Sequence, residues 1–205
     1  MKNNPLQVHW TRGSMTESTH IVDAVVLDAQ GLVQAEFGVG TLDKIYPRSA
    51  IKIFQALPLV LSGAADHYQL TAEHLALACA SHFGEPQHVE LIRSWLQKIS
   101  RDEGSLICAA HLPLGEKGQQ LFWQNNDSLH RWHNNCSGKH CGLISSLLYR
   151  KIQIADYHSY NHPAQIEIRQ ILSILSGESM DQASWAVDGC ELPTYATTLK
   201  GLARM

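Results

Sequence analysis

Two short apolar stretches near the N-terminus predict a β-hairpin. Residues 21–28 and 32–37 are rich in β-branched and apolar side chains, and the turn sequence Ala29-Gln30-Gly31 separates them. One further short strand is predicted over residues 184–187, ahead of a sharp turn at Asp188-Gly189-Cys190. Because a two-stranded hairpin is only marginally stable alone, we expect the other strands of this sheet to lie outside the chain.

The pattern changes to helical spacing after Pro47. Residues 49–61 are apolar enough for a buried helix, which Pro58 would kink or shorten. Thr71 is suited to cap a helix that runs to about Ala80. Apolar residues at helical spacing from Val89 to Ile99 then predict an amphipathic helix with its apolar side turned inward.

The second half of the chain alternates between irregular and helical patterns. Residues 112–135 are polar and irregular, whereas residues 141–150 and 163–175 have helical spacing. Residues 195–205 begin another helical pattern without a terminating cap. These elements together predict a helix-rich α/β or α+β fold.

Composition indicates an ordinary globular protein and excludes several classes. Hydrophobic residues make up 44% of the 205 residues and charged residues 17%, which argues against a disordered chain. The formal net charge is −3 and no basic patch stands out, so nucleic acid is not an expected partner. We find no repeat and no linker, and therefore expect a single domain over residues 1–205.

The sequence predicts neither a membrane-spanning segment nor a secretion signal. The longest apolar run, residues 56–65, is much shorter than the roughly 20 residues that a membrane span requires. Residues 1–9 lack the apolar core of a secretion signal, so we expect a cytoplasmic protein with reduced thiols. The number of cysteines is odd and they are scattered, so they do not form the pattern of a disulfide framework. They are Cys79, Cys108, Cys136, Cys141 and Cys190.

The segment Arg48-Ser49-Ala50-Ile51-Lys52 contains the first candidate for chemistry. At the start of a helix, residues i and i+3 share a face, so Lys52 can reach the Ser49 hydroxyl. A serine becomes a strong nucleophile when a base takes its proton, and a lysine desolvated by apolar neighbours can be that base. Taken alone, the pattern more often reflects a capping serine followed by a surface lysine.

A second segment, Cys79-Ala80-Ser81-His82-Phe83-Gly84, places a serine and a histidine where a helix ends. Such a serine could project into a cleft. The same residues also fit a simple helix terminus in which Gly84 takes a left-handed conformation.

A third segment, residues 133–142, gathers two cysteines, two histidines and a lysine immediately before a helix. Cys136 and Lys139 are i and i+3 and can face one point, and thiolates and imidazoles are zinc ligands. Asp188 and Cys190 could add a carboxylate and a distant thiolate. A glycine-containing helix start with a buried free thiol explains the segment equally well.

These segments together resemble the asparaginase II family, typified by the rhizobial L-asparaginase. The matching stretches occur in the family's order: RSAIKIFQALPLV (48–60), ACASHFGEPQHV (78–89), HNNCSGKHCG (133–142) and DGCELPTYA (188–196). The resemblance implies hydrolysis of L-asparagine to L-aspartate and ammonia. It also implies a fold similar to serine β-lactamases and glutaminases, and a homodimer.

The resemblance also assigns roles to residues. Ser49 would be the nucleophile, Lys52 its base, and Ser81 a member of a second Ser–Lys pair close by. Cys136, Lys139 and Cys190 would hold a zinc ion that shapes the substrate site. The residues expected to line the substrate site are Arg48, Asn135, His140 and Asp188.

Members of this family continue well beyond the position that matches Met205. By this comparison, the sheet strands that complete the fold and the lysine that partners the second serine would lie in that continuation. We therefore expect the isolated chain to be poorly active or inactive and to expose a sheet edge that is prone to association. Two alternatives stay open, namely another Ser–Lys amidohydrolase of the glutaminase or β-lactamase kind, and an inactive zinc-binding remnant.

Overall fold

Antiparallel hairpins open the described part of the chain. The computed structural model describes residues 5–38 and 40–205, so residues 1–4 of the segment inspected for a secretion signal lie outside the described residues. Strands β1 (Leu6–Arg12) and β2 (Met15–Val22) pair antiparallel, and so do β3 (Ala24–Leu27) and β4 (Val33–Phe37). The predicted hairpin is confirmed in β3 and β4. The strand predicted over residues 21–28 is divided between β2 and β3.

The segment predicted as one buried helix is broken into short pieces. A 3₁₀ turn (Arg48–Ile51) leads into α1 (Lys52–Gln55), which is followed by α2 (Leu57–Leu61) and α3 (Ala64–His67). Pro58 lies in the first turn of α2, where its missing N–H removes no helical hydrogen bond. The expected shortening at this proline is confirmed.

Two of the predicted helices are found with nearly the predicted bounds. Helix α4 (Ala72–Cys79) begins after Thr71, whose extended backbone is that of an N-cap residue. Helix α5 (Pro86–Lys98) buries Ile92, Trp95 and Leu96.

The region predicted to be irregular contains helix α6 (Glu116–Gln124) and a 3₁₀ turn (Arg131–His133), so that prediction is wrong. Gly118 and Phe122 are buried on α6, but its large apolar residues, 121–123, are consecutive and Trp123 is exposed, which hid the helical pattern. Helix α7 (Ser137–Tyr149) starts four residues earlier than predicted and is buried along almost its whole length. Helix α8 (Pro163–Ser176) follows as predicted.

Short strands complete the described elements. Lys44–Ile45 (β5), Trp185–Val187 (β6), Pro193–Tyr195 (β7) and Thr197–Thr198 (β8) form the two-stranded sheets β5–β8 and β6–β7. Helix α9 (Leu199–Arg204) begins only after β8, so the helical prediction for residues 195–198 is wrong. Thr198 caps α9 by accepting the Gly201 N–H at 2.9 Å.

The chain divides into two compact units. The first takes its residues from the chain up to Pro47, from Ile171–Ser184 and from Tyr195–Met205, and the second comprises Arg48–Gln170 and Trp185–Thr194. Within the second unit, α7 is the central helix and packs against α2, α3, α4 and α5. No helix in the described residues is long and apolar enough to cross a membrane.

Helices and small sheets together give an α+β fold across residues 5–38 and 40–205. The likeness to serine β-lactamases and glutaminases stays a prediction.

Candidate active site

Three polar side chains form a hydrogen-bonded line in the second unit. Ser49 lies in the 3₁₀ turn, Lys52 begins α1, and Ser81 follows the end of α4. Lys52 Nζ donates to Ser81 Oγ at 2.6 Å, and Ser81 donates to Ser49 Oγ at 3.0 Å. In the described part of the chain no hydrogen bond joins Lys52 to Ser49 directly. Ser81 therefore connects the pair that the i, i+3 spacing predicts to be in contact.

The Lys52 side chain is almost completely buried, with 1% of its surface exposed. Its ammonium donates to the carbonyl oxygen of Ala80 at 2.9 Å and lies 3.5 Å from that of Asn135. Burial lowers the pKa of Lys52, the charge of Lys139 lowers it further, and the thiol groups of Cys136 and Cys190 oppose the shift. A buried amine held by neutral oxygens is in the right environment to exchange a proton with Ser81.

Arg48 and Asp188 form an ion pair beside this line. Arg48 donates from Nε and Nη2 to Asp188 Oδ1, at 2.9 and 2.8 Å. Arg48 has a φ of +49°, a backbone conformation that is unfavourable for a residue with a side chain. The ion pair ties the turn that carries Asp188 and Cys190 to the residue before Ser49.

A cluster of sulfur and amine groups lies at the start of α7. Lys139 Nζ donates to Cys190 Sγ at 3.1 Å, and both residues are buried. A hydrogen bond from the Cys136 thiol lowers the pKa of Cys190 and raises that of Cys136. The side chains that the sequence predicted as metal ligands are therefore together.

The donor set of this cluster suits a soft dication such as zinc. No group of three or more His, Cys, Asp and Glu side chains within residues 5–38 and 40–205 could hold a metal ion. A metal here would consequently need the Lys139 amine in addition to the thiolates of Cys136 and Cys190. His140, the residue next to Lys139, has a buried ring nitrogen, Nε2, without a hydrogen-bond partner.

His140, in the first turn of α7, and Tyr157 form a buried pair. The Tyr157 hydroxyl accepts the Ile107 N–H at 3.0 Å and is hydrogen-bonded to His140 Nδ1 at 2.6 Å. The His140 ring has no exposed surface. Its predicted part in lining the substrate site stays a prediction.

Asn135 contributes to the site through its main chain. Its N–H donates to His111 Nε2 at 3.1 Å, and its carbonyl oxygen accepts the His82 N–H at 3.1 Å. The neighbouring Asn134 donates to the Ala109 carbonyl oxygen at 2.6 Å and accepts the Cys136 N–H at 2.9 Å. These bonds hold the turn before α7 in place.

A cavity of about 730 Å³ opens at Ser81. Its walls come from α4, α5 and the segment between them, and they are mainly apolar: Leu77, Ala80, Phe83 and Leu91. Of the three residues in the line, Ser81 is the one that lines this cavity.

Sequence reasoning noted His82 beside Ser81 without giving it a role, and it missed His111 and Tyr157. These three residues lie in segments that the sequence predicts to be turns or irregular chain, so no helical or strand periodicity points to them. The high histidine content, 12 of 205 residues, was the one available signal. In the structure His82 is buried and fully hydrogen-bonded, although it lies next to an exposed serine.

Comparison with known proteins is consistent with this arrangement of residues. No curated protein matches the chain. A family profile described as L-asparaginase II matches residues 8–205, a range that includes every residue of the site. The match indicates an asparaginase-type hydrolase. Since it covers far more than half of the sequence, the chain belongs to the L-asparaginase II family.

Proposed function

We propose that the chain hydrolyses L-asparagine to L-aspartate and ammonia through a serine ester. The observation that carries the proposal is the line Ser49–Ser81–Lys52, in which two hydroxyl groups connect to one buried amine. Family membership supplies the substrate class, and the line supplies a nucleophile with a route for its proton.

In the first half of the reaction, Ser49 Oγ attacks the side-chain carboxamide carbon of asparagine. With the Lys52 amine neutral, the two hydroxyls rotate so that Ser49 donates to Ser81 and Ser81 donates to Lys52; the Ser49 proton then passes to Ser81 while Ser81 passes its own proton to the amine. The carbon–nitrogen bond breaks as Lys52 returns a proton to Ser81 and Ser81 gives its own proton to the departing nitrogen, which leaves as ammonia. In the second half, a water molecule hydrolyses the aspartyl ester and restores the Ser49 hydroxyl.

Arg48 and Asp188 are suited to recognise the amino-acid part of the substrate. Asparagine carries one carboxylate and one ammonium group, and the pair offers one guanidinium and one carboxylate. Arg48 adjoins Ser49 in the chain, which keeps this recognition next to the reacting group. Replacing Asp188 with Asn should raise the KM for asparagine more than it changes kcat.

Cys136, Lys139 and Cys190 are proposed to hold zinc. A bound zinc ion would supply a fixed positive charge that keeps these side chains in place around the substrate site. Metal analysis of the purified protein should find zinc in the chain and less of it in Cys190→Ser. The homodimer and the cytoplasmic location stay predictions from the family resemblance and the sequence.

The proposal is tested by ammonia release from L-asparagine, L-glutamine and a β-lactam, together with mass spectrometry of acid-quenched protein. We expect ammonia from asparagine, at the low rate expected for the isolated chain, and an aspartyl ester on the Ser49 peptide. Both should be lost in Ser49→Ala and kept in Ser159→Ala, a matched change at an exposed serine of the same unit. A Ser49→Ala variant that keeps its activity, or a chain that gives neither ammonia nor ester, would overturn the mechanism. Preference for glutamine or the β-lactam would overturn the substrate.

A further inference from the structure

His82 follows Ser81 in the chain, and its ring is buried with 3% of the residue exposed. Its Nδ1 lies 3.1 Å from the Gly84 nitrogen, and its Nε2 lies 2.8 Å from Ser137 Oγ. Its main-chain N–H donates to the Asn135 carbonyl oxygen at 3.1 Å. His82 thus uses both ring nitrogens and its backbone to join the segment after α4 to the start of α7.

The direction of these hydrogen bonds follows from their partners. A backbone N–H can only donate, so the bond from Gly84 requires His82 Nδ1 to be an acceptor. The neutral ring must then carry its hydrogen on Nε2, which donates to the Ser137 hydroxyl. Ser137 in turn donates to the Trp132 carbonyl oxygen at 3.1 Å. Every member of this buried chain therefore has one compatible role.

The turn at Gly84 strongly favours glycine. Gly84 has a φ of +69°, and a Cβ at this position would lie 3.0 Å from Pro113 Cα and 3.3 Å from the His133 carbonyl oxygen. The N–H that meets His82 Nδ1 is consequently fixed in direction.

The segment that His82 holds also supplies acceptors to the buried lysine. Ala80 offers its carbonyl oxygen and Ser81 its hydroxyl to Lys52 Nζ, at 2.9 and 2.6 Å. The Asn135 carbonyl oxygen that accepts the His82 N–H lies 3.5 Å from the same amine. A shift of this segment would therefore lengthen the bonds from Ser81 to both Lys52 and Ser49.

We propose that His82 is a positioning residue, which keeps Ser81 Oγ within hydrogen-bond distance of both Lys52 and Ser49 by clamping residues 81–84 to the turn before α7. The inference rests on the proposed function, because the connection that it protects is the proton route. His82 itself takes no proton from the substrate in this scheme, since both of its nitrogens are already engaged.

Steady-state kinetics with asparagine tests the role. His82→Leu keeps the bulk but removes both ring hydrogen bonds, and we expect kcat to fall about 100-fold with KM within about threefold. His82→Gln can still donate to Ser137 but cannot hold Gly84, and we expect a loss of about tenfold. The matched control is His162→Gln, because His162 Nδ1 likewise accepts a backbone N–H two residues further on, from Ala164, and its Nε2 lies 2.9 Å from the Gln153 carbonyl oxygen. His162 is not among the residues that line the cavity at Ser81.

The outcomes separate positioning from a general effect on folding. Equal kcat values for His82→Leu and His162→Gln, or a loss confined to KM, would overturn the proposal. If His82→Leu does not fold, as judged by circular dichroism, the comparison of His82→Gln with His162→Gln decides in the same way.

Nitrogen NMR of the unmodified protein gives a readout that needs no activity. We expect His82 as the neutral tautomer with hydrogen on Nε2, and a hydrogen on Nδ1 would overturn the clamp. A parent chain that shows this tautomer but releases no ammonia would overturn the proposed function and the positioning role with it, while the clamp geometry would stand.

Discussion

Replacing Gly138 with alanine should destabilise the protein, although alanine is the better helix former. A Cβ on Gly138 would lie 2.3 Å from the Leu77 carbonyl oxygen and 2.7 Å from the Leu77 carbonyl carbon. These are backbone atoms of α4, so relief requires the two helices to separate by about 1 Å, and such overpacking costs about 3 kcal/mol. Alanine recovers about 1 kcal/mol of helix propensity. We therefore expect a net loss of about 2 kcal/mol in the free energy of unfolding.

Gly142→Ala is the matched control, because it makes the same change one turn further along α7. A Cβ there would meet Ala78 Cβ and Leu59 Cδ2 at 3.5 Å, which is ordinary van der Waals contact. We expect this variant to be more stable than the parent by about 0.5–1 kcal/mol, since only the propensity term remains.

Urea unfolding followed by circular dichroism measures both variants. Opposite signs are the expected result, with the midpoint lowered for Gly138→Ala and raised for Gly142→Ala. Equal shifts in one direction would refute the close approach of α4 and α7. Because Ser81 follows α4, the separation should also reduce ammonia release in Gly138→Ala.

Three further predictions concern single contacts. Burial, followed by the positive charges nearby, lowers the pKa of His82 to about 3. The unfolded chain binds a proton on His82 below its pKa of about 6.5, and the folded state does not. The free energy of unfolding should therefore fall by about 2 kcal/mol between pH 7 and pH 5. In urea unfolding at these two pH values, His82→Gln should lose less stability than the parent by that amount. The buried Trp95 Nε1–H lies 3.0 Å from Ser145 Oγ, and Ser145→Ala leaves it without an acceptor. This variant should lose about 1–3 kcal/mol in the free energy of unfolding measured with urea. Adding Trp95→Phe removes the unpaired donor and should therefore remove that part of the loss. Burial raises the pKa of Glu178, but hydrogen bonds from Lys44 and Thr198 outweigh it and hold the pKa below its usual value. Glu178→Gln should therefore be less stable than the parent at pH 7. The difference in melting temperature between the two proteins should disappear as the pH falls through the folded-state pKa of Glu178.

The organisation of the site explains why single contacts matter. Ser49, Ser81 and Lys52 come from three places in the chain, and each is held by a different turn or helix end. A small displacement of one element therefore lengthens a hydrogen bond to another. Gly138 and His82 act on this arrangement in different ways, one through close packing and the other through directed hydrogen bonds.

Local pattern was sufficient to predict most helices and one hairpin. Helix α5 has regular apolar spacing behind a proline, and Thr71 marks the start of α4, so both could be placed from neighbouring residues alone. Helix α6 was missed because it buries little besides Phe122 and because its large apolar residues, 121–123, are consecutive, which gives no helical period.

The sequence alone also determined which residue types could carry chemistry and the family to which they belong. Four motifs in one order identify the asparaginase II family, which the match over residues 8–205 confirms. Ser49, Ser81 and Lys52 could be selected in this way because they lie within those motifs.

Only the tertiary structure decided how these residues connect. The i, i+3 spacing predicts that Lys52 contacts Ser49, but the buried ammonium takes acceptors from residues 28 and 29 positions away in the chain, Ala80 and Ser81. No local pattern encodes such a pairing, because it depends on the packing of α1 against α4 and α7. The role of His82 is hidden for the same reason, since its partners Ser137 and Asn135 reach it only when α7 packs against α4.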